Sequence, residues 1–419
     1  VSVLKSAEKI AECVEKTVRE TPVLDVHTHL YPASFGELLL WGIDELLTYH
    51  YLVAEVFRRT DVGYDAFWKM SKTEQADLIW RLLFVENSPI SEACRGPLTV
   101  LKTLGVDVGS RDLKKIRKYF ARQTPEGYVD TVFELGKIRR VVMTNDPFDP
   151  TEYAMWDQGV QGDERFATAL RIDALLNNWP QSVGQLHKWG YDVKAKIDWA
   201  TIRDVRRFLM DWIERIHPLY LAASLPPDFA YPEKSVRAQL LAECVLPVAH
   251  KAGIPFAMMI GVKKLVNPEL RLAGDSVGPA DGAVLENLCR DFPDNRFLVT
   301  LLARENQHQL CVIARKFGNL MPFGCWWFLN DPSLVEELTR MRTELIGLSY
   351  IPQHSDARVL DQLIYKWEHS RRIIASVLTD KYQDLAETGW YVTSEDIRRD
   401  VSNLFGGNFE RFLAETPRG

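Results

Sequence analysis

The 419-residue sequence is poor in cysteine, and its six (Cys13, Cys94, Cys244, Cys289, Cys311 and Cys325) are scattered with no CxxC pair. That spacing excludes a disulfide framework and a zinc ribbon. No basic run is present: 51 Lys and Arg face 57 Asp and Glu, a net charge of -6, which argues against nucleic acid or an anionic membrane as partner. Long apolar runs are missing too, since stretches such as residues 256–262 fall well short of the roughly 20 residues a membrane span requires. No basic leader followed by an apolar core opens the sequence, so a cytoplasmic protein without a signal peptide is expected. Internal repeats, Pro-rich linkers and low-complexity segments are likewise absent. What is there is a chain with 46% hydrophobic and 26% charged residues. That composition is globular, and the length suits one large α/β barrel with an insertion or two to three smaller domains.

Short β-rich runs alternate with helical patterns, which implies parallel strands joined by helices. Eight candidates stand out, at residues 23–30, 140–144, 165–173, 220–225, 255–262, 296–302, 320–328 and 347–353. Apolar residues at helical spacing fill 201–216, 235–252, 282–291, 306–317 and 333–346 between them. Eight strands with intervening helices are the count of a (β/α)8 TIM-like barrel. An open doubly wound sheet would carry a Gly-rich phosphate turn after its first strand, where this sequence reads H-T-H-L-Y-P-A-S-F-G-E. The spacing is regular except once. Residues 35–137, with helical patterns at 44–59, 72–85 and 127–137, read as a large helical insertion after strand one that covers the barrel mouth. The barrel itself would comprise residues 1–34 and 138–419, closed by helices at 358–385 and 394–405.

The first candidate strand, V-L-D-V-H-T-H-L, carries chemistry. Simple alternation puts Asp25, His27 and His29 on one face and Leu24, Val26 and Leu30 on the other. With the apolar set against the helices, two imidazoles point into the barrel at the end where such folds keep their sites. Two histidines at i and i+2 can bind one divalent ion, and zinc suits imidazole. Asp356, just after the eighth strand, is the candidate third ligand; capping the helix that follows is its competing role. Arg171 closes strand three as a clamp for a substrate carboxylate or as an ion-pair partner of Asp173. Asp146, Arg304 and Glu305 follow strands two and six, and Trp326 and Trp327 end strand seven. His50 and Tyr51 lie in the expected helix 44–59, above the pocket.

These residues in this order carry a family resemblance. D-V-H-T-H-L, the His50-Tyr51 pair, R-I-D from Arg171, W-W-F-L-N from Trp326 and S-D-A-R from Ser355 resemble the uronate isomerases of the amidohydrolase superfamily, along nearly the whole chain. HxH alone is shared across that superfamily; the ordered set is far more specific. The resemblance implies an aldose–ketose isomerase that interconverts D-glucuronate with D-fructuronate and D-galacturonate with D-tagaturonate. It implies one divalent metal, most simply zinc, on His27, His29 and Asp356. Arg171 would bind the substrate carboxylate, and His50, Tyr51, Trp326 or Trp327, and Arg358 would contact the sugar acid.

Moving a carbonyl between C1 and C2 requires removal of the C2 proton, a cis-enediol, and a proton shuttle between O1 and O2. Tyr51 at carbon, acidified by Arg358 and the metal, and Asp356 at oxygen are the expected assignment, with His50 and Arg358 assisting. There are departures. Met259 stands where most of the family has a further ligand histidine, Lys264 lies near a family arginine, and S-D-A-R replaces T-D-S-R, which marks a divergent branch. A metal-dependent hydrolase of an amide, ester or lactone is the alternative, and the middle strands offer it only Ala222, Ser224, Met259 and Thr300. A decarboxylase and a non-catalytic sugar-acid sensor are further readings. Assembly of several copies is left open.

Overall fold

The computed structural model describes residues 3–415. Among the described residues nine strands occur in order: β1 (Val23–Thr28), β2 (Ile138–Asn145), β3 (Phe166–Arg171), β4 (Leu221–Leu225), β5 (Phe256–Ile260), β6 (Val262–Lys263), β7 (Ser276–Val277), β8 (Phe297–Leu301) and β9 (Leu320–Pro322). Seven form one curled parallel sheet in the order β1-β2-β3-β4-β5-β8-β9, with helices in the connections, as a parallel sheet requires. The two-residue strands β6 and β7 pair antiparallel as a separate ribbon that the sequence did not reveal.

The strands of the sheet are short, largely buried and rich in Val, Leu, Met and Phe, so each must cover both faces. Outside, Leu221, Phe256, Met258, Ile260, Phe297 and Val299 share a cluster with Val205, Leu209, Leu241 and Leu285 from the helices. Inside, Ala167, Ala169, Ala222 and Ala257 leave room for Tyr220, Met259, Phe323, Phe409 and Phe412. The helix Asn408–Ala414 supplies the last two rings. Asn408 donates to the carbonyls of Leu348 and Tyr350, and Arg296, just before β8, donates to the carbonyl of Leu413. This helix therefore seals the N-terminal end of the strands and leaves the other end open.

The eighth expected strand is not a regular one. The helix Pro332–Ile346 ends at Gly347, which adopts a φ of 64°, and within 347–353 only Ile351 forms a bridge, to Phe323. Pro352 has no N–H to give a ladder. The segment still bonds to both neighbours. Ile351 N–H reaches the Pro322 carbonyl and Gly324 N–H the Ile351 carbonyl, at 3.0 and 2.9 Å; Asp356 N–H reaches the His27 carbonyl and His29 N–H the Ala357 carbonyl, at 3.1 and 2.7 Å. The seventh strand is shorter than expected as well. It stops at Pro322, and the chain passes Gly324 into a 3-10 turn at Trp327–Leu329.

Between β1 and β2 the chain is helical, but not in the expected units. The helix anticipated at 44–59 is two, Ile43–Leu47 and His50–Val56. Glu92–Thr103 and Leu113–Phe120 are additional. These helices share one apolar cluster with Val23 and Val141 of the sheet and with Leu363, Trp367 and Ile374 of the 26-residue helix Gln362–Glu387. The helix Ala7–Glu20, capped by Ser6, was also not anticipated; its stripe of Ile10, Val14 and Val18 joins the same cluster. No helix among the described residues is long and apolar enough to cross a membrane, and all six cysteines are unbonded.

Candidate active site

The imidazoles of β1 are presented by a bulge, not by alternation. Asp25 pairs with Val141 and Thr28 with Met143, so Val26 and His27 together oppose the single residue Val142. An extra residue in one strand sends two neighbours to the same side. His27 and His29 both face inward, as expected, but Asp25 does not share their face. Its carboxylate accepts the Ser355 N–H at 3.0 Å and the Trp367 indole N–H at 2.8 Å, in the helix layer. Leu24 and Val26, expected against the helices, pack inside with Ala169, Ala222 and Met259.

His27 Nε2 and His29 Nε2 lie 3.4 and 3.2 Å from one oxygen of Asp356, and the three donor atoms fall within 4.8 Å of one another. The neighbours fix the tautomers. The Thr144 hydroxyl donates its one proton to the Thr28 carbonyl at 3.0 Å and lies 2.8 Å from His29 Nδ1, so Nδ1 must carry the hydrogen. Tyr220 donates to the Val26 carbonyl at 2.7 Å and stands 3.5 Å from His27 Nδ1, with the same result. Both Nε2 atoms then converge on Asp356. His27 Nε2 and Asp356 Oδ1 are buried without a hydrogen-bond partner, an arrangement that costs free energy unless something takes up those lone pairs. Two imidazoles with oriented outer nitrogens and a carboxylate fit a divalent cation.

The charge states agree. Burial, then the Arg358 guanidinium, hold His29 well below the ordinary histidine range. Asp356 adopts a φ of 50° and caps no helix; the next one is preceded by Asp361.

Around this centre is a cavity whose lining includes His50, Arg171, Lys264, Trp326, Trp327 and Arg358. Arg171 satisfies both sequence expectations at once. It lines the cavity and pairs with Asp173 through two contacts of 2.9 and 3.1 Å, and the charge of Asp173 keeps it firmly protonated. Arg358 Nη2 lies 3.5 Å from His29 Nε2. His50 opens the helix His50–Val56, and burial pushes its pKa down to about 3, so it is neutral, with both ring nitrogens unpartnered. Trp327, at a φ of 46°, stands 5.5 Å from the His50 ring. Lys264, on the loop between β6 and β7, pairs with Asp275 at 2.7 Å.

Tyr51 sits differently. Its ring packs on His50 at 4.4 Å and lines an adjoining groove with Glu92, Trp327 and Tyr365, its hydroxyl buried and unpartnered. Burial, reinforced by Tyr49 and Asp356 and opposed by Arg358, raises its pKa well above the ordinary phenol. The expected acidification is therefore not present in the free protein. Arg304 pairs with Glu337, and Arg304, Glu305 and Asp146 do not line the cavity. Thr144 and Ser224 do. Sequence reasoning missed Thr144 and Tyr220, whose only signal was their place at the ends of β2 and β4.

A curled parallel α/β sheet with two imidazoles and a carboxylate converging at the C-terminal ends of its strands defines an α/β enzyme fold with a candidate metal site. No family model and no curated protein matches the chain. Among solved structures, it is similar to a uronate isomerase from Bacillus halodurans C-125, with 58% identity and a TM-score of 0.97 over 99% of this chain and 98% of that one. The chain belongs to the uronate isomerase family. A uronate isomerase from Thermotoga maritima shares the fold at 16% identity, TM-score 0.78, over 97% of each chain. A glucuronate isomerase from Caulobacter crescentus does so at 15% identity, TM-score 0.78, over 99% of this chain and 95% of that one.

Proposed function

We propose that this protein interconverts D-glucuronate with D-fructuronate and D-galacturonate with D-tagaturonate, moving a carbonyl between C1 and C2 through a cis-enediol. The observation that carries the reading is 58% identity with a uronate isomerase over 99% of the chain. We also read the seven-stranded sheet with segment 351–357 as a (β/α)8 barrel. Its hydrogen bonds to β9 and β1 support that reading. Residues 35–137 are then the insertion over the mouth, which brings His50 to the cavity.

His27, His29 and Asp356 would hold one divalent ion, zinc by donor preference, and that ion supplies positive charge to orient and polarise substrate oxygens. Arg171 holds the substrate carboxylate with the guanidinium edge that Asp173 leaves free. Trp326 and Trp327 wall the sugar carbons, and neutral His50 accepts from or donates to a hydroxyl. Tyr51 removes the C2 proton and returns it at C1, and Asp356 relays the hydroxyl proton between O2 and O1. Because burial keeps the free Tyr51 protonated, its work as a base depends on cationic charge brought beside it, from Arg358 and the loaded site. The inward residues Ser224, Met259 and Thr300 face one another across β4, β5 and β8. They add no imidazole or lysine for water activation, which weighs against the hydrolase.

Proton NMR of each uronate in D2O, with protein before and after zinc is added, tests the reading. Ketouronate signals with exchange at C2 are expected, and no conversion in either state would overturn it. Tyr51→Phe should lower turnover by about 10²–10⁴-fold, the range for loss of a positioned proton-transfer group, with uronate binding nearly intact. Retained turnover would remove Tyr51 from the carbon step.

A further inference from the structure

The turn that presents Asp356 is held in a conformation its own residue disfavours. A φ of 50° at Asp356 lies in the left-handed region, which crowds any side chain with a Cβ. The residue just before it, Ser355, is gripped at both of its flanking peptide groups. Lys366, on the helix Gln362–Glu387, donates from Nζ to the Ser355 carbonyl at 2.5 Å. Asp25, on β1, accepts the Ser355 N–H at 3.0 and 3.2 Å, and Trp367 holds its second oxygen at 2.8 Å.

Neither gripping side chain reaches the cavity, and both are buried, Lys366 at 3% and Asp25 at 0% exposure. An ammonium and a carboxylate removed from water are costly unless well partnered. Burial accordingly lowers the Lys366 pKa to about 8 and raises that of Asp25. The mechanism above uses neither group, yet both meet on one residue, Lys366 at the carbonyl and Asp25 at the N–H of Ser355. Asp25 is two residues before His27, so the contact ties the Asp356 turn to the strand that carries the imidazoles. The Lys366 ammonium also lies 5.8 Å from the centre of the Tyr51 ring.

We propose that Lys366 and Asp25 are positioning residues that clamp the two peptide groups flanking Ser355 and hold the Asp356 carboxylate where His27 and His29 converge. The inference rests on the metal-site reading only for its consequence; the placement of Asp356 is tested separately. Three readouts on the full-length protein carry the test: titration of metal-free protein with Zn2+ alone, the visible spectrum of the Co2+ form, and a crystal structure. In Lys366→Met, Zn2+ affinity should fall about 10–100-fold, the usual effect of losing an outer-shell partner. The Co2+ spectrum should change, and Asp356 should leave its left-handed conformation. Leu378→Ala, a buried position on the same helix, controls for stability: it should lower the melting temperature and leave all three readouts unchanged. Asp25→Asn, which keeps the shape and removes the charge, should reproduce the Lys366→Met result and serves if that variant does not fold. Parental Zn2+ affinity with Asp356 in place, in either clamp variant, would overturn the proposal, as would an equal loss of affinity in Leu378→Ala. Parent protein that binds no Zn2+ would defeat the metal reading, and the clamp is then decided by the position of Asp356.

Discussion

Replacing Gly324 with alanine should disturb the candidate metal-binding end of the sheet far more than one methyl group in a turn normally does. Gly324 has a φ of 69°, and a Cβ there would lie 1.9 Å from Cδ2 of His354 and 2.6 Å from its Cγ and Nε2. His354 has nowhere to retreat. It is fully buried, with the His27 ring 4.9 Å away and the Phe323 ring 5.3 Å away. The left-handed backbone alone costs an alanine about 1–2 kcal/mol, and overpacking a tight interior adds about 1–3 kcal/mol. The expected loss is therefore about 2–5 kcal/mol of folding stability. His354 is two residues from Asp356, so the displacement should also weaken zinc binding. Urea unfolding of the metal-free protein and a zinc titration measure the two effects. A variant within about 0.5 kcal/mol of the parent, as for an ordinary surface change, and with parental zinc affinity would refute the reasoning.

Two further changes probe other parts of the molecule. Arg171→Lys keeps the charge but loses the planar fork; with about 1.5–3 kcal/mol in a charged hydrogen bond, KM for a uronate should rise by about 10–100-fold in steady-state kinetics, and an unchanged KM would remove Arg171 from carboxylate binding. Asp361 is buried, accepts from Tyr128 and Gly42, and has a pKa raised by burial to about 6. The folded state holds that proton more tightly than the unfolded one, so the associated stability is complete below about pH 4 and is lost as pH rises through 6, an effect of about 3 kcal/mol. Asp361→Asn should flatten this part of the curve in urea midpoints taken at about pH 4 and pH 7; an unaltered slope would contradict it.

Most of the parallel sheet was legible because its strands are short apolar runs set off by helical periodicity. The eighth was not a regular strand, because Gly347 with its positive φ and Pro352 without an N–H interrupt what looked like a β-rich run. His27 and His29 were identified by a spacing argument whose geometry differs from the real one. Alternation placed Asp25 beside them, whereas the bulge at Val26–His27 turns Asp25 towards Trp367, and nothing in a single strand's sequence announces a bulge. The break at Thr48–Tyr49 was hidden because the residues on either side keep a helical apolar pattern. Lys366 escaped notice for a related reason: a lysine in a long amphipathic helix reads as solvent-facing, and only packing shows that its ammonium is enclosed. The Gly324–His354 fit depends on residues thirty positions apart, beyond the reach of local pattern.

The helix Asn408–Ala414 has a consequence for molecular traffic. With the floor of the sheet filled by Phe409 and Phe412, an aldouronate and the ketouronate made from it enter and leave through the same opening. They are isomers with the same formula and charge, so nothing at that doorway can sort them by size or by sign. Each turnover must vacate the chamber before the next molecule is admitted, in whichever direction the conversion runs. A molecule lodged under Trp327 and Lys264 would therefore halt the forward and backward flows together and leave their final ratio untouched.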